Sequence, residues 1–139
     1  MVADLRPGQA RPRSRCTTLV PLAPEHLAGL RNLELAQGTA FRWRHGGAHP
    51  GPDEFAVGAW TDVLCTFLVF DDRAGEPRGI VSAYAPDHVN GHCRVGSARF
   101  GDSAGPSPTF ARGVFLLFDY LFCGWPFRKL YLEVPQFNL

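Results

Sequence analysis

The residues best suited to chemistry lie between Gly101 and Gly113. Gly105, Pro106, Ser107, Pro108 and Thr109 lead into an apolar segment that opens Phe110-Ala111-Arg112-Gly113. A helix starting there has first-turn N–H groups with no acceptor in the helix and the positive end of its dipole. After a glycine-rich loop such a tip binds anions, phosphate above all. Ser107 suits the N-cap and Pro108 the first helical position. Thr109, Phe110, Ala111 and Arg112 would then offer amides outward. Arg112 would add charge, and Gly113 would let a ligand approach closely. Pro106 and Pro108 lack N–H groups, which thins the donor set. The plainer alternative is a capped helix after a connector.

Other polar and aromatic residues read as structural. His45, His49, His88 and His92 have irregular spacing, with no carboxylate or thiol at a ligand interval, so no metal is expected. Cys16, Cys65, Cys93 and Cys123 are far apart and form no Cys-x-x-Cys, so they are expected as reduced core residues. Asp71-Asp72 reads as a hairpin cap. Phe41, Trp43, Phe55 and Trp60 would line an acceptor pocket or fill a core, the core being the commoner use. Glu54 suits a helix start, and Arg42 and Arg44 a solvated loop or an acidic acceptor. Glu133 alternates with Leu132 and Val134 on a strand. No Ser-His-Asp or Cys-His set stands out, and no catalytic acid or base is assigned.

The elements that must position these residues follow from periodicity. The chain has 139 residues, 45% of them hydrophobic, with a net charge of +1. That charge implies neither nucleic acid nor an anionic membrane as partner. No apolar run is long enough to span a bilayer, and no signal-peptide core follows Arg6, Arg11, Arg13 and Arg15. A cytoplasmic protein is expected. Residues 1–15 read as a disordered leader, and residues 16–139 as one domain. Strands are expected at 16–22, 63–70, 79–85, 92–100 and 129–134. Helices are expected at 25–36, 53–60 and 110–122, the first opened by Pro24 and faced by Leu27, Leu30, Leu33 and Leu35. Phe55 and Trp60 would anchor the second. Asn90-Gly91 signals a two-residue hairpin turn. The class is therefore α/β: three antiparallel strands, then a helix crossing to a strand parallel to its neighbour.

This layout resembles the first two-thirds of a GNAT-superfamily N-acetyltransferase. Leu19-Val20-Pro21-Leu22 before Pro24-Glu25-His26-Leu27 is similar to that family's first strand and helix. Phe110-Ala111-Arg112-Gly113, Phe118-Asp119-Tyr120-Leu121-Phe122, Arg128-Lys129-Leu130-Tyr131-Leu132-Glu133-Val134 and Asn138 are similar to its third helix, its fifth strand and the Asn after it. The resemblance implies a GNAT-like mixed sheet, truncated after the fifth strand. It also implies acetyl-CoA, or another acyl-CoA, as co-substrate and a small-molecule or peptide amine as acceptor. The fourth strand would bulge and splay from the fifth. Pantetheine would pair with its backbone at Val95, Gly96, Ser97, Ala98, Arg99 and Phe100, whose amides would also polarise the thioester carbonyl. Gly105, Ser107, Thr109, Phe110, Ala111, Arg112 and Gly113 would hold the pyrophosphate, and Asn138 would face the cofactor. The loop keeps little of the family's Gln/Arg-x-x-Gly-x-Gly/Ala signature. The competing expectation is a non-catalytic half-domain. It would pair through its exposed last strand with itself, as a homodimer, or with a partner chain.

Overall fold

The structure, a computed structural model, describes residues 10–35, 52–100 and 108–132. Of residues 33–35 and 52 it describes the backbone alone. The chain divides into two compact units, Met1–Leu22 with Asp62–Glu133 and Ala23–Thr61 with Val134–Leu139. The first unit holds a six-stranded sheet and a long helix.

The strands are β1 (Arg13–Ser14), β2 (Thr17–Pro21), β3 (Val63–Asp71), β4 (Glu76–Asp87), β5 (His92–Arg99) and β6 (Lys129–Leu132). Their order in the sheet is their order in the chain. Neighbours are antiparallel from β1 to β5, and β5 pairs with β6 in parallel. The expected crossover is therefore present. It is helix α3 (Pro108–Gly124), numbered after α1 (Leu27–Leu35) and α2 (Pro52–Trp60) of the second unit.

Helix α3 buries Gly113, Leu117, Tyr120 and Leu121. This face meets Leu19, Phe67, Val69, Val81, Ala83, Cys93 and Val95 in one apolar core. The strand residues come from every second position of β3, β4 and β5, so they share one face of the sheet. The Tyr120 ring stands edge-on to Phe67, with 5.5 Å between centroids.

Several boundaries differ from expectation. Arg13 and Ser14 are not part of a disordered leader: they pair with Thr18 and Thr17 in a tight hairpin, with Arg15 left-handed at φ 54°. Residues 1–9 lie outside the described set. Asp72 fastens this hairpin to the β3–β4 turn, accepting the Thr18 hydroxyl at 2.9 Å and Arg13 Nε at 3.3 Å. The β4–β5 connection is a four-residue turn between the paired Asp87 and His92, not a two-residue one. Asp87 decides this. Its carboxylate accepts the Asn90 side-chain amide at 2.8 Å and the Asn90 backbone N–H at 2.9 Å. Only Gly91 there is left-handed, at φ 70°.

Asp71 caps the β3–β4 turn as expected. The N–H groups of Ala74 and then Arg73, together with Arg78, hold its carboxyl below the usual carboxylate value of 3.8, against a smaller opposing push from burial. A depressed folded-state pKa contributes stability above the unfolded value and loses it as pH falls through the folded one. Asp71→Asn is thus expected to be less stable than wild type at pH 7. The gap should close as pH drops below 3.8. Urea titrations at stepped pH measure it, and a gap that persists at low pH would refute the assignment.

In the second unit the first helix begins as a 3-10 turn at Pro24–His26, where His26 Nδ1 accepts the Ala23 N–H at 2.9 Å. Leu30 and Phe55 are buried, whereas Trp60 is 45% exposed. Glu54 is exposed at the start of α2. Phe41, Arg42, Trp43, Arg44, His45 and His49 lie outside the described residues. No described helix is long and apolar enough to cross a membrane.

Candidate functional site

Helix α3 begins at Pro108, where the sequence places its first turn. Pro has no N–H to lose there and its fixed φ suits the helix. Thr109 and Phe110 follow as second and third helical residues, whose amides have no carbonyl one turn back within the helix. The amides of Ala111, Arg112 and Gly113 fall inside the helical ladder, so these three do not offer N–H groups at the tip. Gly105 and Ser107 lie outside the described residues, as do Glu133 and Asn138.

Gly113 packs α3 against the sheet. It is buried against β3, and a Cβ there would stand 2.5 Å from Val69 Cγ1 and 2.7 Å from Val69 Cγ2. Arg112 lies on the opposite face and walls a groove with Phe115 and Asp119. The close approach that Gly113 permits here is that of helix to sheet.

What seats the tip is Gly79 on β4. The Phe110 ring lies over it, so that a Cβ on Gly79 would sit 2.6 Å from Phe110 Cε2 and would also strike the Ala98 carbonyl oxygen. Gly79 pairs with Arg99 at the end of β5. The start of α3 thus meets the sheet beside the last residues of β5. Sequence reasoning missed Gly79, although a glycine inside a strand run is itself a signal of close backbone approach.

Strand β5 divides into two sets. Phe100 donates its N–H to Arg78 O at 2.8 Å, toward β4. Backbone groups alternate along a strand, so Ala98 and Gly96 also face β4. Val95, Ser97 and Arg99 face the other edge. On that edge the pairing with β6 runs from His92↔Lys129 to Val95↔Leu132. β6 is described as far as Leu132, the partner of Val95. Of the six residues expected to pair with pantetheine, only Val95, Ser97 and Arg99 direct main-chain groups to this edge. Gly96, Ala98 and Phe100 are committed to β4.

The strand expected to bulge does not. β5 pairs with β4 in unbroken register from Arg94 to Arg99. The irregularity falls on β4, between Tyr84 and Asp87. Pro86 has no N–H for a ladder bond. Ala85 is left-handed at φ 47° and donates its N–H to Asp62 O at 2.9 Å.

Side chains separate in the same way. Ser97 is exposed on the face that α3 covers further along at Cys93 and Val95. Gly96 opens on the opposite face, between Ser82 and Tyr84. A Cβ there would sit 3.5 Å from both Ser82 Oγ and Tyr84 Cε1. Ser82 and Tyr84 were not anticipated, because their relation to Gly96 exists only once the β4–β5 register is known.

The remaining candidates lie elsewhere. His88 stacks on Phe127 with centroids 5.6 Å apart, and His92 Nε2 stands 3.5 Å from Asp87. Among the described residues no group of three or more His, Cys, Asp and Glu is gathered. Cys65 and Cys93 are buried, and burial pushes the Cys65 thiol up to about 12 and raises that of Cys93. Both are protonated core side chains at neutral pH. Cys123 is exposed near the end of α3 and is no core residue.

No model of a protein family matches the chain, and neither does any curated protein. Solved structures do. A probable GNAT-family acetyltransferase from Chromobacterium violaceum superposes with TM-score 0.69 at 21% identity, over 92% of this chain and 67% of that one. A GCN5-related N-acetyltransferase from Brucella melitensis gives TM-score 0.64 at 22% identity, over 90% and 60%. The fold is that of the GNAT acetyltransferases. A third GNAT structure is the spermidine N-acetyltransferase from Vibrio cholerae in complex with CoA and spermine. Its TM-score is 0.70 at 20% identity, over 88% of this chain and 73% of that one. The chain thus spans 60% of the Brucella GNAT protein and 73% of the Vibrio one. The mixed sheet implied by the resemblance is present, with the short β1 hairpin strand added before it.

Proposed function

We propose that the chain transfers an acyl group, acetyl by preference, from acyl-coenzyme A to a primary amine. One observation carries this reading. β5 runs on to Arg99 beside the tip of α3, whose Phe110 ring lies over Gly79, the residue paired with Arg99. An extended arm with amide groups would lie along this side of β5 and pair with the main-chain groups of Ser97. The amides of Thr109 and Phe110 at the tip would take the pyrophosphate. The thioester would then lie near Val95–Ser97, with the slot at Gly96 between Ser82 and Tyr84 on the far face. The comparison with the Vibrio structure supports CoA as co-substrate and an amine as acceptor.

In the reaction a neutral amine attacks the thioester carbon. The carbonyl oxygen gains negative charge and draws on the β5 main-chain N–H groups. The C–S bond breaks, thiolate leaves, and the amine proton passes to solvent. Holding both reactants in line supplies much of the acceleration. The strand-pairing alternative has less support, since the solved structures of this fold named above are acetyltransferases.

Acetyl-CoA at a hundred times its dissociation constant should stabilise the chain by about 2.7 kcal/mol, read as a rise in melting temperature. Thr109→Pro deletes one tip amide and is expected to weaken acetyl-CoA about tenfold in calorimetry. Thr109→Ala keeps that amide and should bind like wild type. Equal affinities for all three proteins would remove the tip from the site.

A further inference from the structure

Glycine inside a strand loses backbone entropy on folding and packs no side chain, so it stays where something asks for it. The described strands hold two, Gly79 and Gly96. Gly79 is required, since a Cβ there would strike the Ala98 carbonyl oxygen and the Phe110 ring. Gly96 is not required in that way. Its φ lies outside the left-handed region. A Cβ on it would meet Ser82 Oγ and Tyr84 Cε1 at 3.5 Å, an ordinary contact distance. Among the described residues neither packing nor backbone conformation asks for glycine at this position. A strand glycine of this kind marks a place where a ligand comes close.

The notch it leaves has a definite width and chemistry. Ser82 is the direct cross-strand partner of Gly96, and Tyr84 that of Arg94. One wall is thus a hydroxyl and the other an aromatic ring. Gly96, Ser82 and Tyr84 are each half-buried. The Ser82 hydroxyl has no hydrogen-bond partner among the described residues. Both walls stand at contact distance from a single Cβ, so the notch is one carbon wide. On either side of Gly96, Val95 and Ser97 turn their main-chain groups to the side of β5 assigned above to the thioester.

Given acyl transfer to an amine, on which this rests, we infer that the notch at Gly96 seats the amine-bearing carbon of the acceptor and selects amines carried on a methylene. The methylene enters between the Ser82 hydroxyl and the Tyr84 ring and rests on the Gly96 Cα. Ser82 Oγ accepts one N–H of the neutral amine, which leaves the nitrogen lone pair turned from β4 toward the thioester carbon. A branched carbon, as in most peptide N-termini, carries a further substituent that meets one of the two walls.

Propylamine and sec-butylamine test this, because they differ by one methyl on the amine-bearing carbon. Thiol release from acetyl-CoA at about pH 9, where part of each amine is neutral, gives kcat/KM for both. Wild type should prefer propylamine by roughly tenfold or more. Gly96→Ala fills the notch. It should lower kcat/KM for propylamine about tenfold and change that for sec-butylamine little, so the preference disappears. Its melting temperature should equal or exceed that of wild type, and calorimetry should show unchanged acetyl-CoA affinity. Ser82→Ala should lose about fivefold on propylamine. Equal rates with the two amines, or a Gly96→Ala protein that acetylates propylamine as wild type does, would overturn the inference and leave acyl transfer standing. So would acetyl-CoA binding without transfer to propylamine. A lower melting temperature for Gly96→Ala would show that packing asks for the glycine and would overturn it too. Failure of acetyl-CoA to bind wild type at all would bring down acyl transfer itself, and the role of the notch with it.

Discussion

Gly79→Ala is expected to lower stability by about 3 kcal/mol and the melting temperature by roughly 10 °C. The added methyl would overlap the Ala98 carbonyl oxygen and stand 2.6 Å from the Phe110 ring. One obstacle is backbone within a paired strand and cannot yield cheaply. The other is the side chain that seats α3 on the sheet. Alanine suits a strand no worse than glycine, so the loss reports the clash itself. Because the ring holds the helix tip, acetyl-CoA affinity should fall in the same variant. Thermal melts and calorimetry check both effects. A variant that melts with wild type would show that helix and sheet do not meet closely at this point.

Gly113→Ala sets two effects against each other. Alanine favours the helix by about 1 kcal/mol. Its methyl, however, would lie 2.5 Å and 2.7 Å from the two γ-carbons of Val69, which is fully buried. Valine is stiff at χ1, so neither carbon can swing aside. Overpacking of this kind costs roughly 1–3 kcal/mol, and here the stiffness of Val69 puts it near the top. The net expectation is a loss of about 2 kcal/mol. Val69→Ala alone leaves a void and costs about 2 kcal/mol. The double variant exchanges one methyl for room left by the other side chain. It should be more stable than the sum of the single losses by about 2 kcal/mol. Urea unfolding of the four proteins measures this coupling, and strict additivity would contradict the packing described.

Both glycines show what periodicity can and cannot convey. The apolar alternation of β3 and the spacing of Val114, Phe118 and Leu121 place strands and helix within a few residues, because each signal is carried by neighbours in the chain. Pro108 marks the helix start for a reason equally local. Gly113 is different: its neighbour Val69 is far away in sequence, so a packing glycine and a ligand-facing glycine read alike. The same holds for β5. Which of Val95 to Phe100 face β4 follows from a single long-range bond, Phe100 N–H to Arg78 O. The turn at Asn90-Gly91 is longer than a two-residue hairpin because Asp87, three residues earlier, recruits Asn90 as a cap partner. Ser82 and Tyr84 carry no mark in the sequence at all, since their place beside Gly96 depends on register.

The sequential strand order bears on how the chain acquires its shape. From β1 to β5 each pairing joins segments that follow one another, apart from the excursion through the second unit between β2 and β3. Such contacts close short loops and form early. Docking of β6 must wait for the whole of α3. The junction of β5 and β6 is accordingly the last part to assemble and the first to come apart. A molecule lodged there should slow unfolding and leave the refolding rate almost untouched. Stopped-flow traces with and without acetyl-CoA would reveal that asymmetry, and a faster refolding limb would contradict it.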